Sequence, residues 1–146
     1  MTSPVDRQQA TDNILLTDFF FSPDRMDPVL VFVLAIQHWC LDACFLHGLW
    51  PQRGEYCESV AYVPVDGELR DDMMRYWSIP CESPEHTTDL WAHEWSKHGT
   101  CSGMNETSYF SKAMDLFQTH REPLCTSSTG QICLDGSFET VPCPAW

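Results

Sequence analysis

The chain has 146 residues, 43% of them hydrophobic, with eight cysteines and a net charge of −13 at neutral pH. Its length and apolar share bound it to one globular domain, and so many cysteines favour an oxidising compartment and a disulfide framework over a cytosolic fold. The acidic excess argues against a general nucleic-acid coat protein, whose binding rests on neutralised phosphates; it leaves room for an enzyme with a local cationic pocket, since protonating the six histidines alone would bring the charge to −7.

Residues 1–27 carry Asp6, Asp12, Asp18, Asp24 and Asp27 and read as a polar leader, disordered in part. This segment has no basic start followed by an apolar stretch and a small-residue cleavage site. The secretory context read from the cysteines therefore comes without a recognisable signal peptide. The apolar run Val29–Ile36 is too short to span a bilayer, and Val29 to His38 reads as a strand buried on both faces. Ala43 to Trp50 is a second strand, closed by Pro51. Residues 52–72 read as loop, with Gly54, Pro64 and Gly67, and Asp71 to Trp77 as a short helix before Pro80. Thr87 to Lys97 forms the next helix, stopped at Gly99 in a left-handed conformation. Tyr109 to His120 follows, with Tyr109, Phe110, Ala113, Met114, Leu116 and Phe117 along one stripe and Thr107 or Ser108 as its cap. Gln131–Leu134 and Phe138–Cys143 bracket Asp135-Gly136, a hairpin turn.

The segment Trp91-Ala92-His93-Glu94-Trp95-Ser96-Lys97-His98-Gly99-Thr100-Cys101 concentrates titratable groups in a chain with two lysines and six histidines. At helical spacing His93, Glu94, Lys97 and His98 fall at about 0°, 100°, 40° and 140°, one face, while Trp91 and Trp95 turn toward a core. His93 and His98 are five apart, which misses the spacing of a zinc-protease helix. No C-x2-C pair exists either, so no metal is expected. Phe45-Leu46-His47-Gly48-Leu49-Trp50-Pro51 supplies another imidazole at the end of a strand. Acid–base chemistry at a phosphodiester needs two imidazoles, able to hold opposite protonation states near neutrality. Asn105-Glu106-Thr107 is a glycosylation sequon.

The two segments His47-Gly48-Leu49-Trp50-Pro51 and His93-Glu94-Trp95-Ser96-Lys97-His98-Gly99-Thr100-Cys101, in this order, resemble the active-site segments of the ribonuclease T2 family. The resemblance covers about residues 29–144 and includes Phe32–Gln37 as a first core strand and the closing hairpin. It implies an α+β fold, a central antiparallel sheet with packed helices, stabilised by disulfides. It implies endoribonuclease activity on single-stranded RNA, without cofactor or metal, by transphosphorylation through a 2′,3′-cyclic phosphate, with DNA uncut for want of the 2′-hydroxyl. On this resemblance His98 is the general base and His47 the general acid. Lys97 and Glu94 stabilise the phosphorane-like state, and His93 binds phosphate. Trp50 is the platform for the first base, aided by Gln52 and Tyr56, and Gln37 and Leu90 fall at the second base site. Leu90 replaces the usual aromatic. Implied disulfides are Cys57–Cys101, Cys44–Cys81 and Cys133–Cys143, which leaves Cys40 and Cys125 over; a local Cys40–Cys44 bridge is an alternative that frees Cys81. The expected protein is a monomer, secreted or lysosomal/vacuolar, with no membrane partner.

Against the family pattern, residues 28–146 form a shortened domain in which Arg121-Glu122-Pro123-Leu124-Cys125 follows the Tyr109–His120 helix almost at once. A non-catalytic secreted RNA- or protein-binding relative that has lost part of the substrate groove is the alternative reading. Metal-dependent hydrolysis is a third, tested by chelation.

Overall fold

A computed structural model describes residues 29–38 and 43–145; the leader read over residues 1–27 lies outside them. Apolar runs and punctuating turns resolve into strands β1 (Phe32–Gln37) and β2 (Phe45–Pro51), helices α1 (Gly67–Tyr76) and α2 (Pro84–Lys97), a 3-10 turn at Gly99–Cys101, helix α3 (Glu106–Thr126), and strands β3 (Gln131–Leu134) and β4 (Thr140–Val141). The four strands form one antiparallel sheet in the order β2-β1-β3-β4. The architecture is α+β, as the sequence implies. Among the described residues no helix is long and apolar enough to cross a membrane.

β1 is central and nearly wholly buried, which is why its sequence lacks alternation. Among the described residues β2 is one of the two edge strands, and an edge strand leaves carbonyls that need partners. Two of them are taken by side chains from the helical layer: Trp77 Nε1 donates to His47 O at 2.8 Å and Tyr109 Oη to Leu49 O at 2.7 Å. Trp91 Nε1 in turn donates to Trp77 O at 2.6 Å. The same rings, with Phe110, Phe117, Leu34, Leu46, Leu49 and Met73, make the core. Burying an apolar side chain of this size stabilises by about 2–3 kcal/mol, and here it also fixes the strand that carries His47.

Register adds one irregularity. Ala35 pairs with Gly48 but Ile36 pairs with Leu46, so His47 is the extra residue of a β-bulge. A bulge bends its strand and re-aims the side chain at it.

Several boundaries differ from the sequence reading. α1 starts at Gly67, inside the stretch read as loop, and α2 at Pro84, where proline occupies the first turn without needing its missing N–H. α3 is capped by Asn105, whose Oδ1 accepts from Ser108 N at 2.9 Å, and not by Thr107 or Ser108. It runs through Pro123 to Thr126, past His120; Leu124 is fully buried and Cys125 is bonded to Cys44, holding the last turn. That bridge corrects the pairing of Cys44 with Cys81, and Cys81 is disulfide-bonded otherwise. Cys57–Cys101 and Cys133–Cys143 form as read. Gly99 is not a left-handed stop: the chain continues into the 3-10 turn, and a Cβ there would collide with the Trp95 ring and Tyr109. The hairpin turn at Asp135 is closed by Asp135 Oδ1, which accepts from Ser137 N and Glu139 N.

Candidate active site

The bulge on β2 and the C-terminal end of α2 bring their polar residues together. Trp50 Nε1 donates to Glu94 Oε1 at 2.7 Å. The Trp50 ring lies 5.1 Å from the His47 ring, edge-on, and 5.3 Å from the His98 ring, inclined by 30°. One indole therefore contacts both imidazoles and the carboxylate.

Glu94 belongs to the polar helical face shared with His93, Lys97 and His98, yet it is 2% exposed. The helical angle was right, but Trp50 and β2 cover that side. Burial raises its pKa to about 7, against the lowering effects of the Trp50 hydrogen bond and the Lys97 charge. Glu94 Oε2 lies 4.0 Å from His47 Nε2, too long for a hydrogen bond. The pKa of His47 is lowered, by burial first and then by His93, so this contact does not act as an ion pair favouring the imidazolium.

His98 caps α2, its N–H bonded to Glu94 O at 3.0 Å. Burial pushes its pKa down to about 4, helped by the charges of Lys97, His93 and His47. Its Nδ1 is sealed from solvent without a hydrogen-bond partner. Lys97 turns outward, with Nζ 3.6 Å from Glu55 Oε2. His93 is exposed, and its charge helps to lower the pKa of both other imidazoles.

The loop after β2 is pinned to this helix end. Tyr56 N donates to Lys97 O, Cys57 N to Thr100 Oγ1 and Arg53 Nε to Cys101 O, at 2.8, 3.2 and 3.1 Å. The Cys57–Cys101 bridge closes the same join. Trp50, Pro51, Gln52, Gly54, Glu55 and His98 thereby enclose a cavity of about 270 Å³. Gln52 Nε2 donates to Trp50 O at 2.9 Å, and Tyr56, at φ 52°, stands exposed.

Gln37 and Leu90 do not line that cavity. Gln37 is 8% exposed, with its amide nitrogen bonded to Leu46 O at 2.8 Å and its Oε1 unpartnered; Leu90 packs against the core. Glu55 escaped sequence reading because nothing in the chain pairs it with Lys97 until the loop folds back. Gly48 was readable only as a motif glycine, whereas a Cβ there would strike Glu94 Oε1 and Trp50 Nε1. Among the described residues no three His, Cys, Asp or Glu side chains gather in a way that could hold a metal ion.

The sequence profile of the ribonuclease T2 family matches residues 32–129. Ribonuclease T2-A of Mus musculus is 37% identical over 86 residues, covering 53% of this chain and 33% of that protein. Ribonuclease T2 of Sus scrofa is 32% identical over 106 residues, covering 59% and 53%. The chain thus spans about a third to a half of the length of these relatives. Among solved structures, RNase NT in complex with 5′-AMP superposes with a TM-score of 0.53 at 21% identity, over 81% of this chain and 92% of that one.

Proposed function

The chain belongs to the ribonuclease T2 family, and on that premise we propose that it cleaves single-stranded RNA as an endoribonuclease, by acid–base transphosphorylation without a metal. One observation carries the reading: the single indole of Trp50 gathers His47, Glu94 and His98.

His98, with its pKa near 4, is neutral at mildly acid pH and acts as the base that takes the 2′-hydroxyl proton. With Nδ1 sealed, Nε2 is the nitrogen that exchanges that proton. The 2′-oxygen attacks phosphorus, and His47, as the general acid, gives a proton to the leaving 5′-oxygen. The product is a 2′,3′-cyclic phosphate, which makes the first step that of a lyase; hydrolysis of the ring follows. Lys97 meets the charge that develops on the phosphate oxygens, and His93 holds the incoming phosphate. At that pH Glu94 is protonated and neutral, so it adds a hydrogen bond to the phosphorane-like state without repelling it.

The cavity beside Trp50 takes the first base, stacked on the indole, with Gln52 and Tyr56 at its margin. Gln37 acts through Leu46 O, on the strand of His47, more than by touching a base, and Leu90 offers only an aliphatic surface at the second site. Asn105 carries an N-linked glycan, and the disulfides suit secretion or a lysosome-like or vacuolar compartment. The reading is tested with an RNA oligonucleotide in chelator at about pH 5, beside the same oligonucleotide carrying one 2′-deoxy sugar. Cleavage everywhere except after the deoxy sugar, with cyclic phosphate ends, is expected; cleavage there, or loss of activity in chelator, would sink it.

A further inference from the structure

We propose that the N-linked glycan of Asn105 does not project freely but lies in an apolar groove beside its attachment point, closing it; this rests on the assignment of Asn105 as glycosylated. The groove, a cavity of about 690 Å³ that shares no lining residue with the cavity beside Trp50, runs between residues 58–66 and the first turn of α3. Val60, Val63, Pro64, Leu69 and Met104 wall it. Val60 is 46% and Val63 64% exposed, two of the four large apolar side chains left exposed among the described residues. An apolar concavity of this size marks a bound group more often than bare surface.

The sequon itself names the occupant. Asn105, Glu106 and Thr107 all line the groove, so a sugar attached there starts on its wall. Asn105 Oδ1 accepts from Ser108 N at 2.9 Å. That bond fixes the amide plane, and Nδ2, the atom that bears the sugar, makes no hydrogen bond within the described residues. Glu106 Oε1 accepts from Val63 N at 2.8 Å and joins the two walls. In attachment Nδ2 displaces the diphosphate from the anomeric carbon of a lipid-diphosphate oligosaccharide and loses one proton. The first N-acetylglucosamine then offers its acetamide methyl and C–H face to Val60 and Val63, and its hydroxyls to water. Because the sugar is tethered, seating it loses little translational freedom, so weak apolar contacts suffice.

The test uses the chain secreted from eukaryotic cells. Mass spectrometry should find a glycan on the native sequence and none on Thr107→Ala, which keeps the Asn105 cap. Nuclear Overhauser contacts should join the acetamide methyl to the Val60 and Val63 methyls. A glycan-releasing amidase should act on the folded protein several-fold more slowly than on the Val60→Ser, Val63→Ser variant. Absence of any glycan would overturn both the seat and the glycosylation of Asn105. A glycan without those contacts, released equally fast from both proteins, would overturn the seat alone and leave the attachment standing.

Discussion

Trp50 and Glu94, 44 residues apart in sequence, are joined by a 2.7 Å hydrogen bond from the indole to the carboxylate, and this bond ties the bulged edge strand to the α2 helix. It gives the buried Glu94 a fixed donor, and it orients the ring that both imidazoles touch. In the proposed mechanism, the acid–base pair and the base-stacking surface therefore share one anchor.

Replacing Glu94 by Gln keeps an oxygen for Trp50 Nε1 and removes the ionisable group. In the native chain the folded pKa is raised from 4.5 to about 7, so the folded state binds its proton more tightly than the unfolded one. That contribution is fully present below 4.5 and is lost as pH rises through about 7. Urea titrations should show Glu94→Gln gaining on the native protein between about pH 5 and pH 8 by on the order of 3 kcal/mol. Equal differences at the two pH values would contradict the buried, protonatable Glu94.

Activity should trace a bell against pH. Cleavage rises as pH climbs through about 4, where His98 sheds its proton, and falls as His47 loses its own below the ordinary 6.5. The profile of kcat/KM on a short RNA reads both limbs. A rate that kept rising through neutrality would contradict the assignment of acid and base.

Much of this site was legible because its residues lie in two short segments whose types already suit phosphodiester chemistry. What sequence could not supply depended on tertiary contact. The bulge at His47 is a matter of register between β1 and β2, invisible in Phe45–Pro51 alone. Helical angles placed Glu94 correctly around α2, but only the approach of Trp50 determines that Glu94, alone of that face's charged groups, is buried. The last helix, read as ending at His120, runs on through Pro123 to Thr126 because buried Leu124 and the Cys44–Cys125 bridge hold its final turn. Cysteine pairing follows from where the chain passes in space, which is why Cys44 was matched with the wrong partner.

Gly48→Ala should uncouple the anchor. The added methyl would fall on Glu94 Oε1 and Trp50 Nε1, two atoms already bonded to each other in a packed site. Overpacking of this kind destabilises by roughly 1–3 kcal/mol, and activity should fall by more than that loss of folded protein explains. Chemical denaturation and kcat on the folded fraction separate the effects. Unchanged kcat would show that the Trp50–Glu94 bond is not needed.

Glu55→Gln should free Lys97 for the phosphate. Both partners are partly solvent-exposed and 3.6 Å apart, so stability should change by no more than about 0.5 kcal/mol. KM for RNA should fall a few-fold at low salt, with kcat nearly constant and the effect fading as salt screens the charges. A rise in KM would mean that Glu55 contacts the substrate favourably instead.

The role of His98 as the base of a metal-independent RNA transphosphorylation is decided by one assay. Native protein and His98→Ala are compared on single-stranded RNA in chelator at about pH 5, with circular dichroism confirming that both are folded. Cyclic-phosphate products are expected from the native chain, with a loss of at least about a hundredfold in the variant. Equal rates from the two proteins would contradict it.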